Sequence, residues 1–219
     1  MSQKISPVPR HRRARNSLTI ESILDAAESV AAAGFEALTI RAVATELQSS
    51  PMALYRYFST KDELVDALLN RVLGRFERPD ETDSWVADLR MFALKHRELL
   101  TNHPWAIAPL IAHPYPGPNA LPIGEAALRI LQRAGISGDS AVATFSGIIA
   151  LNYGWASFVL ARASESGGRP AERVELPAAP AAYTLTVEVA EAMSRYGSDQ
   201  HYQLVLGQLL AGIEAGALV

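Results

Sequence analysis

The sequence predicts an all-α protein, with an N-terminal three-helix head of helix-turn-helix form ahead of a larger helical bundle. Three observations carry this. Apolar residues recur three and four apart through most of the chain, and capping residues and Gly or Pro stops stand where such helices would begin and end. Charge is uneven: residues 1–78 hold 11 Lys/Arg against 9 Asp/Glu, and residues 79–219 hold 9 against 14, so a basic end precedes an acidic remainder. The most apolar stretch, 141–163, is interrupted by Thr144, Ser146, Asn152 and Ser157 and carries its single charge, Arg162, at the end. With 219 residues, 49% of them hydrophobic and 20% charged, the chain can bury a core, which excludes disorder as the whole story. A mean hydropathy of +0.07 and the lack of an apolar run behind the first arginines predict neither a membrane anchor nor a secretory signal, and hence a cytoplasmic protein. The absence of cysteine removes disulfides, zinc–thiolate sites, iron–sulfur clusters and thiol nucleophiles together.

Residues 1–17 carry Pro7, Pro9 and five basic side chains, and read as a flexible basic arm. Thr19 is placed to cap a first helix whose stripe is Ile20, Ile23, Leu24, Ala27, Val30 and Ala31, with Gly34 as its stop. Thr39 caps a short second helix (Ile40, Val43, Ala44, Leu47), and Pro51 opens a third segment to 58 that turns Leu54 and Phe58 inward. A capping box at 60–63 starts a fourth helix through Leu64, Ala67, Leu68 and Val72. Two short helices joined by a polar turn after a longer one are the mechanical requirement of a helix-turn-helix unit, expected over 18–64. Its outward side would offer Ser49, Met52, Ala53, Tyr55, Arg56 and Tyr57 to a DNA groove; a helical hairpin inside an ordinary all-α domain is the alternative on pattern alone.

The runs GFEALTIRAVA at 34–44, ALYRYF at 53–58 and KDEL at 61–64 resemble the DNA-binding domain of the tetracycline-repressor (TetR) family. The resemblance implies that Arg41, Tyr55, Tyr57 and Lys61 contact DNA. Tyrosine hydroxyls and Lys61 suit phosphates, and Arg56 suits a guanine edge or a phosphate. The sequence departs from the family at Gln48, where a glycine usually accepts a left-handed backbone.

The remainder, 65–219, is expected to be one helical ligand-binding and dimerisation domain with a mobile loop at 164–181. Ser84 or Asp83 caps a helix striped by Trp85, Leu89, Phe92, His96 and Leu99; HPYPGP at 113–118 is a rigid elbow; a further helix ends at Gly135. A helix over 183–196 is expected to turn Leu185, Val189, Ala192 and Met193 inward. Along 141–163, Ala143, Gly147, Ala150, Gly154, Ser157 and Ala161 form a small-residue stripe suited to close helix approach, and the last helix could complete a symmetric four-helix seam. The expected dimer interface is therefore Gly147, Ala150, Gly154, Leu206 and Leu210. The apolar helices and GQLLAGIE at 207–214 also resemble the TetR C-terminal domain, which implies a homodimer on a palindromic operator, released by a ligand. Candidate ligand residues are Trp85, Phe92, His96, His103, Trp105, Phe145, Asn152 and Trp155, with Tyr153 and Phe158 beside them; Asn152 and His96 are polar groups on buried stripes that need partners. Few basic residues stand among them, so the expected effector is an uncharged or weakly charged, largely apolar aromatic molecule. His103 and His113 flank the stretch where tetracycline repressors use a histidine for a magnesium chelate, but the surrounding prolines imply a different path, and tetracycline itself is not expected. Histidines 11, 96, 103, 113 and 201 form no catalytic or metal-binding motif, so no enzyme, metal or cofactor is expected. The rival reading keeps the DNA head and gives the bundle to a protein partner, or to dimerisation without an inducer.

Overall fold

The computed structural model describes residues 18–165, 180 and 182–217. The expected basic arm and most of the expected loop at 164–181 lie outside the described residues.

In α1 (Ile20–Ala32) the cap is reciprocal: Ser22 N donates to Thr19 Oγ at 3.1 Å and Thr19 N to Ser22 Oγ at 3.0 Å. Ile23, Leu24, Ala27 and Ala31 are buried as expected, whereas Ile20, at the open end of the stripe, is exposed and Val30 is half-buried. A short turn, Phe35–Ala37, leads to α2 (Ile40–Glu46), capped by Thr39, and then to α3 (Pro51–Leu54). Between α2 and α3, Gln48 adopts φ +51°, with Gln48 N donating to Thr45 O at 2.9 Å and Ser49 N to Ala44 O at 2.8 Å. That pair of bonds is the left-handed helix ending for which glycine is the usual residue, so the turn keeps its geometry and Gln48 bears a Cβ penalty of about 1 kcal/mol. The same ending recurs at 131–136, where Gly135 takes φ +75°.

Helix α4 (Lys61–Leu73) crosses the expected boundary at 64/65 as one rod. Thr60 caps it, but Glu63 Oε2 accepts from Ser59 N at 2.6 Å, so the expected box at 60–63 reaches one residue further back. Leu64, Leu68 and Val72 are fully buried, with Ala67 half-buried. Arg71 pairs with Asp25 and Arg75 with Glu28, fastening α4 to α1. The Arg75 guanidinium on Glu28 holds that carboxyl below its ordinary range.

The bundle contains α5 (Trp85–Asn102), α6 (Ile107–Ala112), α7 (Ala120–Arg133), α8 (Gly138–Glu165), the short α9 (Thr184–Glu188) and α10 (Ala190–Ser194), and α11 (Asp199–Ala217). Helix α5 is its axis, in contact with α7, α8 and α11. By length and composition Gly138–Ala161 could cross a bilayer; here Ala141, Ile148, Asn152 and Ala156 make its buried face. The helix expected over 183–196 is two short helices broken at Val189, and Leu185, Val189 and Met193 are exposed rather than inward.

Head and bundle meet along α4. Asn119 N donates to Asn70 Oδ1 at 2.8 Å and Asn119 Nδ2 to Asn70 O at 2.9 Å, and His113 Nδ1 lies 3.0 Å from Asp66 Oδ1. A Cβ on Gly117 would stand 2.6 Å from Asn70 Oδ1, so the elbow reaches α4 only because that position is glycine.

Candidate functional site

Two surfaces and one cavity concern function. On the head, Met52, Tyr55 and Arg56 project outward from the α3 region, Arg41 is exposed on α2, and Ser49 and Ala53 are half-buried between them. Lys61, at the first position of α4, is half-buried with Nζ 5.2 Å from the Phe35 ring centre, which fixes its stem and leaves its charge at the edge of this face. Leu54 and Phe58 are buried, as expected. Tyr57 is more than a third exposed, yet its hydroxyl donates to the Leu18 carbonyl, so its proton is already engaged in closing the head on the start of α1. Cations and phenols on one side of a short helix can meet phosphates, and a helix of this size fits a major groove.

The expected ligand residues do not line one cavity. Phe92 is fully buried, edge-on to Phe76 at 5.5 Å, stacked on His96 at 6.4 Å and tilted against Phe145 at 6.4 Å. His96 and Asn152 find partners inside the chain. Asn152 Nδ2 donates to Ala93 O at 2.9 Å and to His96 Nδ1 at 3.1 Å, and the Tyr202 hydroxyl donates to Asn152 Oδ1 at 2.7 Å. Burial pulls His96 down to about 4 and pushes Tyr153 and Tyr202 up to about 12, so all three are neutral at pH 7. Trp155 donates its indole N–H to Gly197 O at 3.1 Å and packs edge-on to Tyr202. His103 lies at the head–bundle joint, its Nδ1 2.9 Å from Leu99 O and its Nε2 2.6 Å from Arg75 Nη1. Trp105 is buried and Trp85 half-buried, and neither borders the main cavity. Of the eight expected residues only Phe145 does.

That cavity, about 920 Å³, opens between the elbow, α7, α8 and the segment leaving α4. Its wall is mostly apolar, from Phe76, Tyr115, Leu121, Leu128 and Phe145, with Arg78, Arg129 and Glu125 as the charged members. Sequence reading missed it because most of the wall is the outer side of α7, from Ala120 to Arg129, which the helical period assigns to solvent, and the remainder includes a proline-rich elbow whose path no periodicity reveals. The one available signal was the density of prolines at 114, 116, 118 and 122, which keeps a connection from collapsing onto the helices it joins.

The third feature is the outer face of α8. Ala143, Ala150 and Gly154 are exposed and Gly147 is half-buried, and a Cβ built on either glycine meets nothing within 4 Å. Beside them Val142 and Leu160 are exposed, as are Leu204 and Val205 on α11. Two expected interface residues need correction: Leu206 and Leu210 are buried in the chain's own core with Tyr202, because the α11 stripe at 202, 206 and 210 is the one that faces α5 and α8. Among the described residues no cluster of His, Asp and Glu could hold a metal ion.

Comparison with known proteins follows the same division. Residues 23–68 match the family of bacterial regulatory proteins of the tetR type, and residues 78–217 match the tetracyclin repressor-like C-terminal domain. An HTH-type transcriptional regulator of Saccharopolyspora erythraea is 36% identical over 128 residues, 58% of this chain and 54% of its own length. The HTH-type transcriptional repressor DrrR1 of Streptomyces coeruleorubidus is 34% identical over 129 residues, 58% of this chain and 48% of its own. The aligned region thus spans about half the length of these two relatives. The structure of apo ActR from Streptomyces coelicolor superposes with a TM-score of 0.75 at 25% identity, covering 93% of this chain and 98% of that one. ActR has also been solved with actinorhodin and with (S)-DNPA, at TM-scores of 0.74 and 0.73.

Proposed function

Since this chain belongs to the TetR family of bacterial regulators, we propose that it is a homodimeric transcriptional repressor acting in the cytoplasm, which leaves a palindromic operator when a small, largely apolar aromatic molecule enters the cavity beside α7. The observation that carries the reading is the continuity of α4. Its first residue, Lys61, stands at the edge of the head's outward face, and the segment just beyond its last residue, Leu73, supplies Phe76 to the cavity wall. A ligand that favours one position of Phe76 therefore favours one position of the head. A 100-fold difference in affinity between the two positions would supply about 3 kcal/mol toward release. Likeness to ActR, solved with actinorhodin and with (S)-DNPA, supports a small-molecule effector.

Arg41, Tyr55 and Lys61 are assigned to phosphates, Arg56 to a base edge, and Ser49, Met52 and Ala53 to the groove-facing surface around them. Tyr57 serves first to brace the head. Gly147, Ala150 and Gly154 form the centre of the dimer seam, with Leu204 and Val205 flanking it in place of Leu206 and Leu210. The test is protection of the DNA upstream of the protein's own gene or its neighbours, followed by release with a panel of polycyclic aromatic compounds. A two-fold footprint relieved by at least one compound is expected. A footprint that no compound relieves but a cell extract fraction containing protein does would transfer control to a protein partner.

A further inference from the structure

We propose that the cavity beside α7 takes an organic acid, a flat apolar body ending in a single carboxylate that pairs with Arg78. This rests on the reading of that cavity as the effector site and replaces the expectation of an uncharged effector. Among the charged groups on the wall, Glu125 and Arg129 neutralise each other across one helical turn, Arg129 Nη2 lying 2.8 Å from Glu125 Oε1. Arg78 is exposed and has no ion-pair partner among the described residues. Of the acids nearest to it along the chain, Glu77 is held by Lys95 at 3.0 Å, and Asp80 and Glu81 line a smaller adjoining recess together with Asp88. Asp88 is taken by Arg133 at 2.8 Å and by Thr82, Glu81 lies 3.7 Å from Arg133, and Asp80 remains open to water at the recess. The cavity proper is therefore an apolar slot with one positive charge, Arg78, left without an ion-pair partner on its wall.

An apolar body that entered this slot without an anion would cover part of a guanidinium and return nothing for the water it displaced. A carboxylate placed there makes a charge-assisted, two-pronged contact suited to the planar fork of arginine. The position also matters for the signal. Arg78 lies on the same short segment as Phe76, which is edge-on to Phe92 at 5.5 Å, so an anion held by Arg78 restrains the chain that leaves α4. The apolar body supplies affinity, and the acid ties that affinity to the position of the head.

The experiment uses the full-length protein and matched pairs of probes, anthraquinone-2-carboxylic acid with its carboxamide and 2-naphthoic acid with its carboxamide. Binding is followed by tryptophan fluorescence and calorimetry, and release from the operator by anisotropy. Each acid should bind at least tenfold more tightly than its amide. Arg78→Gln should reduce that preference to within twofold, Arg78→Lys should keep part of it, and Leu121→Trp should abolish binding of both members by filling the slot. Equal affinity for acid and amide, a preference that survives Arg78→Gln, or no binding of any probe overturns the proposal. Acid binding that depends on Arg78 but leaves the operator complex intact supports the anion site and refutes the effector reading, so the two can fail separately.

Discussion

In the head, the outward side chains between Arg41 and Lys61 are polar, charged or phenolic apart from Met52, whereas α8 and α11 turn outward a row of Ala and Gly bordered by Val142, Leu160, Leu204 and Val205. Both surfaces are incomplete in one chain, but in different senses. The head's face is stable in water and waits for a polyanion; its arginines and phenols lose little by being solvated. The α8 face is the kind of surface that a soluble protein covers, and its glycines leave room for another backbone to come close. The head thus lacks only a polyanion, and the bundle, on the seam proposed above, lacks a second copy.

The sharpest way to break this contrast is Gly154→Trp. A two-fold seam would receive the indole twice, at about 1–3 kcal/mol of overpacking each, so the dimer dissociation constant should rise roughly a thousandfold in sedimentation equilibrium while circular dichroism stays unchanged. Unaltered self-association would move the seam off α8. Leu206→Ala should behave in the opposite manner, lowering monomer stability by about 2–5 kcal/mol, because its side chain is core.

Next in size is a pH effect confined to the bundle. His96 is held neutral down to about 4, whereas an unfolded histidine gains its proton near 6.5. Between those values the unfolded state binds more protons, so stability is full above pH 6.5 and falls by about 3 kcal/mol as pH drops to 4. Denaturant melts of His96→Gln should lose most of that slope. A slope that persists in the variant would place the titrating group elsewhere.

Smaller effects separate the residues of the head. Arg56→Ala should relax preference at one operator position by about 1–3 kcal/mol, whereas Lys61→Ala should weaken all sequences alike and reduce the salt dependence by about one counterion. Equal losses on operator and random DNA for Arg56→Ala would remove its base-reading role. The smallest effect is Gln48→Gly, which should stabilise the head by about 0.5–1 kcal/mol by relieving the left-handed Cβ that Gly135 avoids in the same kind of helix ending.

What the sequence made legible follows the same line between the domains. Thr19, Thr39, Pro51 and Thr60 each act within a few residues of themselves, so the head's helices could be read locally, and even the departure at Gln48 pointed to the strain that the backbone shows. In the bundle the period told which segments are helical but not which way they face. An α11 that is apolar nearly all round offers Leu206 and Val205 equally, and only packing against α5 and α8 decides that Leu206 goes in. His96 and Asn152 were legible as buried polar groups needing partners, but not as partners of each other, because 56 residues separate them. The cavity was the least legible because its wall joins the solvent-facing side of α7, which a helical period reads as plain surface, to an elbow that has no period at all.

The clasp of Asn70 on Asn119 bears on how such regulators could exchange their heads. A graft joined before Asp66 leaves Asp66, Asn70 and Gly74 with the recipient, so the fit of α4 against Gly117 and His113 travels intact. What the donor must then bring is acid at the places of Asp25 and Glu28, since Arg71 and Arg75 stay behind and reach across the joint for them. Recognition of DNA and the proposed response to a small molecule would in this sense be separable parts with a two-pronged electrostatic connector, and a recombined protein would inherit its sensitivity from one parent and its address from the other.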